Sequence, residues 1–217
     1  MLTLSLVKKV SILVLLHLFC LNVVFAAAEQ QEKSKVLVVV VDHGRFQTKQ
    51  YQAVQNIIDE KLHNRFNSSK YSMLRDDDAL NKLYKLSSDQ DLDSPEKLRK
   101  SDFVTFGNKN DVDYIVFMEF KPADIRLENI FTIVSQRVLN LELMAKVVDV
   151  KADRYIYKGI VSSGTVSRLN VLMFGSEVSM WSDAVERCLV KFGQACPDIP
   201  ALNNVVDKKN VVENDNL

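Results

Sequence analysis

Asp42, His43 and Arg45 stand together around Gly44, directly after the apolar run KVLVVVV of Lys35 to Val41. An imidazole between a carboxylate and a guanidinium can hold a small polar or anionic ligand. His43 could also serve as a base if a carboxylate such as Glu119 came beside it. Ligands in α/β sheets commonly sit at the carboxyl ends of strands, which is where this group falls. Catalysis asks for more: no nucleophile motif and no glycine-rich phosphate loop accompanies these residues, and Gly44 alone is no fingerprint. The sequence therefore predicts no catalytic residue. Asp42, His43 and Arg45 are the residues that would bind a ligand.

Other chemistry-bearing groups read as structural. Asp76-Asp77-Asp78 offers carboxylates suited to Mg²⁺ or Ca²⁺, but lacks the spaced ligands and glycine of a calcium loop. Acidic residues at a helix start cap free N–H groups, and that is the expected role. Cys188 falls on the apolar stripe of the last helix and Cys196 beyond its expected end. A chain reversal at Gly193 would let them form a disulfide; the alternative is a buried Cys188 and a free Cys196. Their spacing fits neither C-x-x-C nor a zinc knuckle, and His43 and His63 are distant in sequence, so no metal and no cofactor is expected. Met173, Phe174, Met180 and Trp181 cluster around Gly175. Core packing is their expected role, with partner docking as the alternative.

The amino terminus sets the compartment. Lys8 and Lys9 precede the apolar stretch Val10 to Phe25, and Ala26-Ala27-Ala28 follow. A basic start, an apolar core and a small-residue exit predict a secretory signal peptide over 1–28, cut after Ala26 or Ala28. The apolar run is shorter than the roughly 20 residues of a spanning helix, so an uncleaved membrane anchor is the lesser alternative. Leu18 and Phe19 precede Cys20, where a lipidation signal wants small residues; no lipid is expected there. Residues 1–28 hold two lysines and no acid, in a chain of 28 basic and 28 acidic residues, so the mature chain carries a formal charge of −2. That balance argues against a nucleic-acid partner and a polybasic membrane surface.

The elements that must position these residues follow from periodicity. KVLVVVVD, Lys35 to Asp42, reads as a strand buried on both faces. Thr48 opens a helix to Phe66 with Tyr51, Val54, Ile58, Leu62 and Phe66 on one stripe. Tyr71 to Leu74 is a short strand. Two helices follow, one starting among the aspartates and one behind Ser94-Pro95. Asp111 to Phe120 is a strong strand. Phe131 to Val150 alternates, with Ile133, Leu139, Leu141, Leu143, Ala145 and Val147 on one face and Gln136, Asn140, Glu142 and Lys146 on the other; this predicts a half-buried antiparallel strand. KADR turns it, Asp153 takes the left-handed position, and RYIYKGIVSSGTVS returns. A last helix runs from Ser176 to Phe192, stopped by Gly193. The prediction is one α+β domain over 35–194: a mixed β-sheet with a long antiparallel hairpin and helices packed on it, followed by a loose polar tail, 197–217.

Four segments carry a resemblance: KVLVVVVD, NKNDVDYIVFMEF, LELMAKVVDVKADRYIYKGIVSSGT and SEVSMWSDAVERCLVKF. Their order and punctuation resemble a group of bacterial envelope proteins. The group includes the curli secretion lipoprotein CsgG, the penicillin-binding-protein activator LpoB and the amino-terminal domain of TolB. Met118-Glu119 stands where the group often has glycine, Ala152-Asp153 replaces a Thr-Gly turn, and no segment is similar to the barrel hairpins of CsgG. The resemblance implies a periplasmic or otherwise extracytoplasmic domain that is not a pore. The function expected is an exported, non-enzymatic adapter that binds an envelope protein or a cell-wall component through a sheet edge or nearby loops. Homo-oligomers through the same edge are compatible with it. A small-ligand binder or hydrolase around Asp42, His43 and Arg45 is the alternative.

Overall fold

The computed structural model describes residues 33–46, 48–75, 77–121, 123–131, 134–169 and 177–200. The chain divides into units 1–32 and 33–217, and every described residue belongs to the second. The signal segment with Cys20, Ala26 and Ala28 lies outside the described residues, as do Met173, Phe174 and Asp76.

Strand β1, Ser34–Val41, is the β-branched run, and it is central because both its faces are apolar. It pairs in parallel with β2, Tyr71–Arg75, on one side and with β3, Tyr114–Phe120, on the other. β5, Val134–Asp149, runs antiparallel to β3 through its carboxyl half and to β4, Asp124–Phe131, through its amino half. Its opposite side pairs with β6, Arg154–Leu169, along nearly its whole length. The result is a six-stranded mixed sheet in one α+β domain.

Helices cover both faces. α1, Gln52–Arg65, enters through a single 3-10 turn at Lys49–Tyr51 and buries Val54, Ile58 and Leu62. It shares one face of the sheet with α4, Glu177–Ala195, over a core that includes Val36, Val38, Val116 and Leu141. α2, Asp77–Ser88, and α3, Lys100–Lys109, cover the other face through Leu83, Phe103 and Phe106, against Leu37, Val39 and Phe117. Met180 and Trp181 are buried in the first core, where the packing expectation put them.

Three expectations change. β4 does not appear in the predicted order, because Asp124, Arg126 and Glu128 mask an alternation with Ile125 and Leu127 that is a strand's period. β5 is half-buried only in its amino half. Beyond Glu142, Met144, Lys146 and Val148 are buried on the second face as well. Their cover comes from the Pro95–Lys97 3-10 turn, Leu98 and α3.

Gly193 does not end α4. The helix runs to Ala195, and Cys196 N still donates to Phe192 O at 2.8 Å. Eight residue steps along the helix set the two cysteines about 12 Å apart on its axis, which is too far for a disulfide. Both thiols are free and buried: Cys188 Sγ donates to Leu141 O and Cys196 Sγ to Pro197 O. Asp153 does adopt the left-handed backbone of the β5–β6 turn, with φ 47°.

Arg65 closes the far end of α4. Its guanidinium donates to Gly193 O at 3.1 Å, Cys196 O at 2.8 Å and Pro197 O at 3.0 Å, and it sits 5.2 Å from the Phe192 ring centre. A cation here also meets the negative end of the helix. Beyond it, Tyr71 Oη donates to Ile199 O and Tyr114 Oη to Pro200 O, so the chain from 197 to 200 is fastened to the sheet. The rest of the expected tail lies outside the described residues. Arg65→Ala should destabilise the fold by about 2 kcal/mol. Hydrogen exchange should rise first at the amides of 192–197; uniform exchange across the chain would contradict this closing role.

Candidate functional site

The loop after β1 is built by its own carboxylate. Asp42 accepts from Gly44 N at 2.9 Å and from Phe46 N at 3.2 Å, which folds the loop back on itself. His43 and Gly44 both have positive φ, 54° and 73°. Arg45 lies 4.9 Å from the Trp181 ring centre and donates to Lys121 O at 3.3 Å. Of the three residues the sequence proposed for a ligand, Asp42 and Arg45 are thus engaged in shaping the loop.

His43 remains. The parallel β1–β3 pairing sets Val41 beside Glu119, and this register brings His43 Nε2 to 3.0 Å from Glu119 Oε1. Glu119 is only 4% exposed, and its Oε2 has no hydrogen-bond partner among the described residues. Burial pushes its carboxyl pKa upward, with the charge of Lys146 opposing. Lys121 adds a cation 3.3 Å from Glu119 and also pairs with Glu96. A His–carboxylate pair can move a proton. Among the residues bonded to it there is no serine, threonine or cysteine, and Lys121 is held in ion pairs with Glu119 and Glu96.

The chain from Glu96 to Lys100 crosses the other end of this ion-pair chain and faces the β5–β6 hairpin. Between them lies a groove of about 840 Å³. Leu98, Met144, Tyr155 and Ile160 form its apolar lining, and Lys97, Arg99, Lys100, Lys146 and Lys158 make it basic. Lys97 pairs with Asp93 and Lys100 with Asp153. Among the described residues, no ion pair holds Arg99, Lys146 or Lys158, although the more distant charges of Glu119 and Asp102 act on Lys146.

Lys146 is the unusual group. The sequence placed it on a solvent face, yet it is only 4% exposed. Its ammonium donates to Glu96 O and to Leu98 O, the latter at 3.0 Å, and lies 5.3 Å from the Phe103 ring centre. Directly across the hairpin it faces a second lysine, Lys158. Like charges in that position repel. Burial first, and Lys158 second, hold the Lys146 pKa down at about 8. One signal in the sequence pointed here: a lone cation inside the apolar run LMAKVVDV, with no acid across the turn to match it.

The repulsion has a testable consequence. Lys158→Glu replaces it with attraction, and the variant should gain up to about 1 kcal/mol in urea denaturation. The Lys146 ammonium pKa should rise in an NMR titration. An unchanged Lys146 titration would show that the two amines do not sense each other.

No described helix is long and apolar enough to cross a membrane, and the described residues hold no His, Cys, Asp and Glu cluster able to bind a metal ion. No family model and no curated protein matches the chain. Among solved structures, the hypothetical protein CT253 from Chlamydia trachomatis is 9% identical, with 75% of this chain and 94% of that one covered, at a TM-score of 0.42. The LpoB C-terminal domain from Salmonella enterica is 16% identical over 63% of this chain and 86% of that one, with a TM-score of 0.27. TolB from Acinetobacter baumannii is 14% identical over 74% of this chain and 29% of that one, with a TM-score of 0.31. Two of the envelope proteins that the sequence pattern resembles are therefore among the structural neighbours.

Proposed function

We propose that this chain is an exported, non-enzymatic envelope protein whose groove at the β5–β6 hairpin docks a protein partner. The observation that carries the docking reading is the groove itself. It sets an apolar floor and an isoleucine that is 60% exposed, Ile160, on a strand that, among the described residues, pairs on one side only. A bare strand edge next to apolar surface favours main-chain pairing with another protein. Export follows from the basic, apolar and small-residue pattern of residues 1–28.

A second reading is supported by the His43–Glu119 contact. A histidine that is partly open to solvent, on a buried carboxylate, can hold a small polar ligand at the end of β1. One experiment separates the two. Wild type, Ile160→Asp and His43→Ala are each recovered from native envelopes after mild crosslinking. The docking reading predicts a partner held by wild type and His43→Ala and lost by Ile160→Asp. Loss from His43→Ala alone would favour the ligand reading. The mass of the mature chain from the same sample should correspond to a start at Ala27 or Glu29; a start at Met1 would contradict cleavage.

A further inference from the structure

The groove joins three features that seldom coincide. First, Lys146 and Lys158 face each other directly across antiparallel strands, with one of them buried. A sheet ordinarily avoids this arrangement, because like charges directly opposite destabilise it. Second, the neighbouring cross-strand pair, Met144 with Ile160, is apolar and lies on the same face two residues along. Third, the outer edge of β6 is covered in one part only. Lys191 and Arg187 of α4 donate to Ser162 O and Gly164 O, while no side chain is bonded to the backbone from Lys158 to Ile160 among the described residues.

We infer, on the docking reading above, that the groove takes an extended acidic segment of the partner. The segment adds as a strand to the edge of β6 at Lys158–Ile160, sets one carboxylate between the Lys146 and Lys158 ammoniums, and lays an apolar side chain on Ile160 and Met144.

Charge complementarity selects this occupant. Five cations and one carboxylate, Glu96, line the groove; Glu96 is paired with Lys121, Lys97 with Asp93 and Lys100 with Asp153, which leaves Arg99, Lys146 and Lys158 to meet an incoming acid. Two N–H groups of Lys146 are engaged by Glu96 O and Leu98 O, which leaves the third for an incoming carboxylate. A carboxylate between the two ammoniums turns a repulsion into two attractions; burial first and the Lys158 charge second lower the Lys146 pKa, with Glu119 and Asp102 opposing. A small anion would use the lysines and leave Ile160 and the strand edge bare. An extended chain uses all three, because side chains two apart point to one face and match the spacing from Lys158 to Ile160.

The test uses the full mature chain and three probes: a peptide of about six residues, a usual strand length, alternating glutamate with valine; the same peptide with lysine for glutamate; and sodium acetate. The acidic peptide should bind at least ~10-fold tighter than the basic one and shift the amide signals of Lys158 to Ile160. Lys158→Glu should remove that preference, and Ile160→Asp should weaken the acidic peptide. Both substitutions fall on exposed positions, and circular dichroism checks that each variant is folded. Equal binding of the two peptides would overturn the inference. So would acetate shifts at Lys146 and Lys158 with no added effect from the peptide, which would make this a small-anion site. The two levels fail separately. If Ile160→Asp loses the native partner but the acidic preference is absent, docking stands and the acidic segment falls. If the peptides behave as expected but the native partner ignores Ile160→Asp, the docking reading falls.

Discussion

Phe46→Ala should destabilise the protein by about 3–5 kcal/mol, the largest effect expected of any single truncation near the candidate site. Phe46 belongs to the loop after β1, yet it is wholly buried. Its ring lies 5.6 Å from Trp181 of α4, 5.9 Å from Phe120 of β3 and 5.9 Å from Tyr51 ahead of α1, in edge-on or tilted arrangements. One side chain thus joins a loop, the sheet and two helices. Truncation removes the transfer free energy of the ring and leaves a cavity bordered by three parts of the chain that cannot all collapse toward it. The same ring anchors the loop on which His43 stands, so the His43–Glu119 contact should loosen as well. Urea denaturation gives the first effect, and the His43 ring signals in NMR give the second. Phe46→Leu should lose roughly half as much, since it keeps most of the buried apolar surface. A loss below about 1 kcal/mol for Phe46→Ala would mean that the loop is not held by this ring.

The second large effect depends on pH. Lys146 is held at about 8, below the ordinary value of 10.5. Between those values the folded chain has released this proton while the unfolded chain still binds it, so stability rises with pH. The contribution of Lys146 is therefore complete above about pH 10.5 and is lost as pH falls through about 8. Measured against Lys146→Met, wild type should gain at most about 3 kcal/mol between pH 7 and pH 10.5. Other lysines and tyrosines titrate in this range in both proteins, so the difference between the two isolates Lys146. At pH 7 two effects of the substitution oppose each other. Methionine removes a desolvated cation, and it leaves the carbonyls of Glu96 and Leu98 without its N–H groups. The slope is thus the diagnostic quantity. Denaturation curves at several pH values give it, and parallel curves for the two proteins would show that Lys146 titrates normally.

Local periodicity made much of the fold legible. The β-branched run of β1, the stripe of Val54, Ile58 and Leu62, and the alternation of Leu139, Leu141 and Leu143 each report a single element and the face it buries. The same reasoning failed where the deciding partner lies far away in the chain. Period two assigned Lys146 to a face correctly. What covers that face, Leu98 and Phe103, comes from about 40 residues upstream, and no local pattern reports it. β4 was hidden by charge: its alternation is real, but three of its eight positions are ionic. Gly193 has the residue type of a helix stop without the tertiary reason to stop. Arg65 reaches the last turns of α4 from another helix and holds them. In the candidate site, the sequence offered Glu119 only as one carboxylate that could meet His43; the parallel β1–β3 register, which no local pattern reports, is what brings the two together. The groove was not legible, since it exists only once the Glu96–Lys100 segment lies across the hairpin.

Site-specific photo-crosslinking from the groove tests the central claim most directly. A photoreactive phenylalanine analogue replaces Ile160 in one variant of the full chain and His43 in another; Lys70, exposed on a turn before β2, serves as a third position. After irradiation in native envelopes, the crosslinked peptides are sequenced by mass spectrometry. The account predicts adducts from Ile160 to one recurring protein, at a segment rich in aspartate and glutamate, and none from Lys70. Adducts from His43 with none from Ile160 would contradict it, and would move the functional surface to the end of β1.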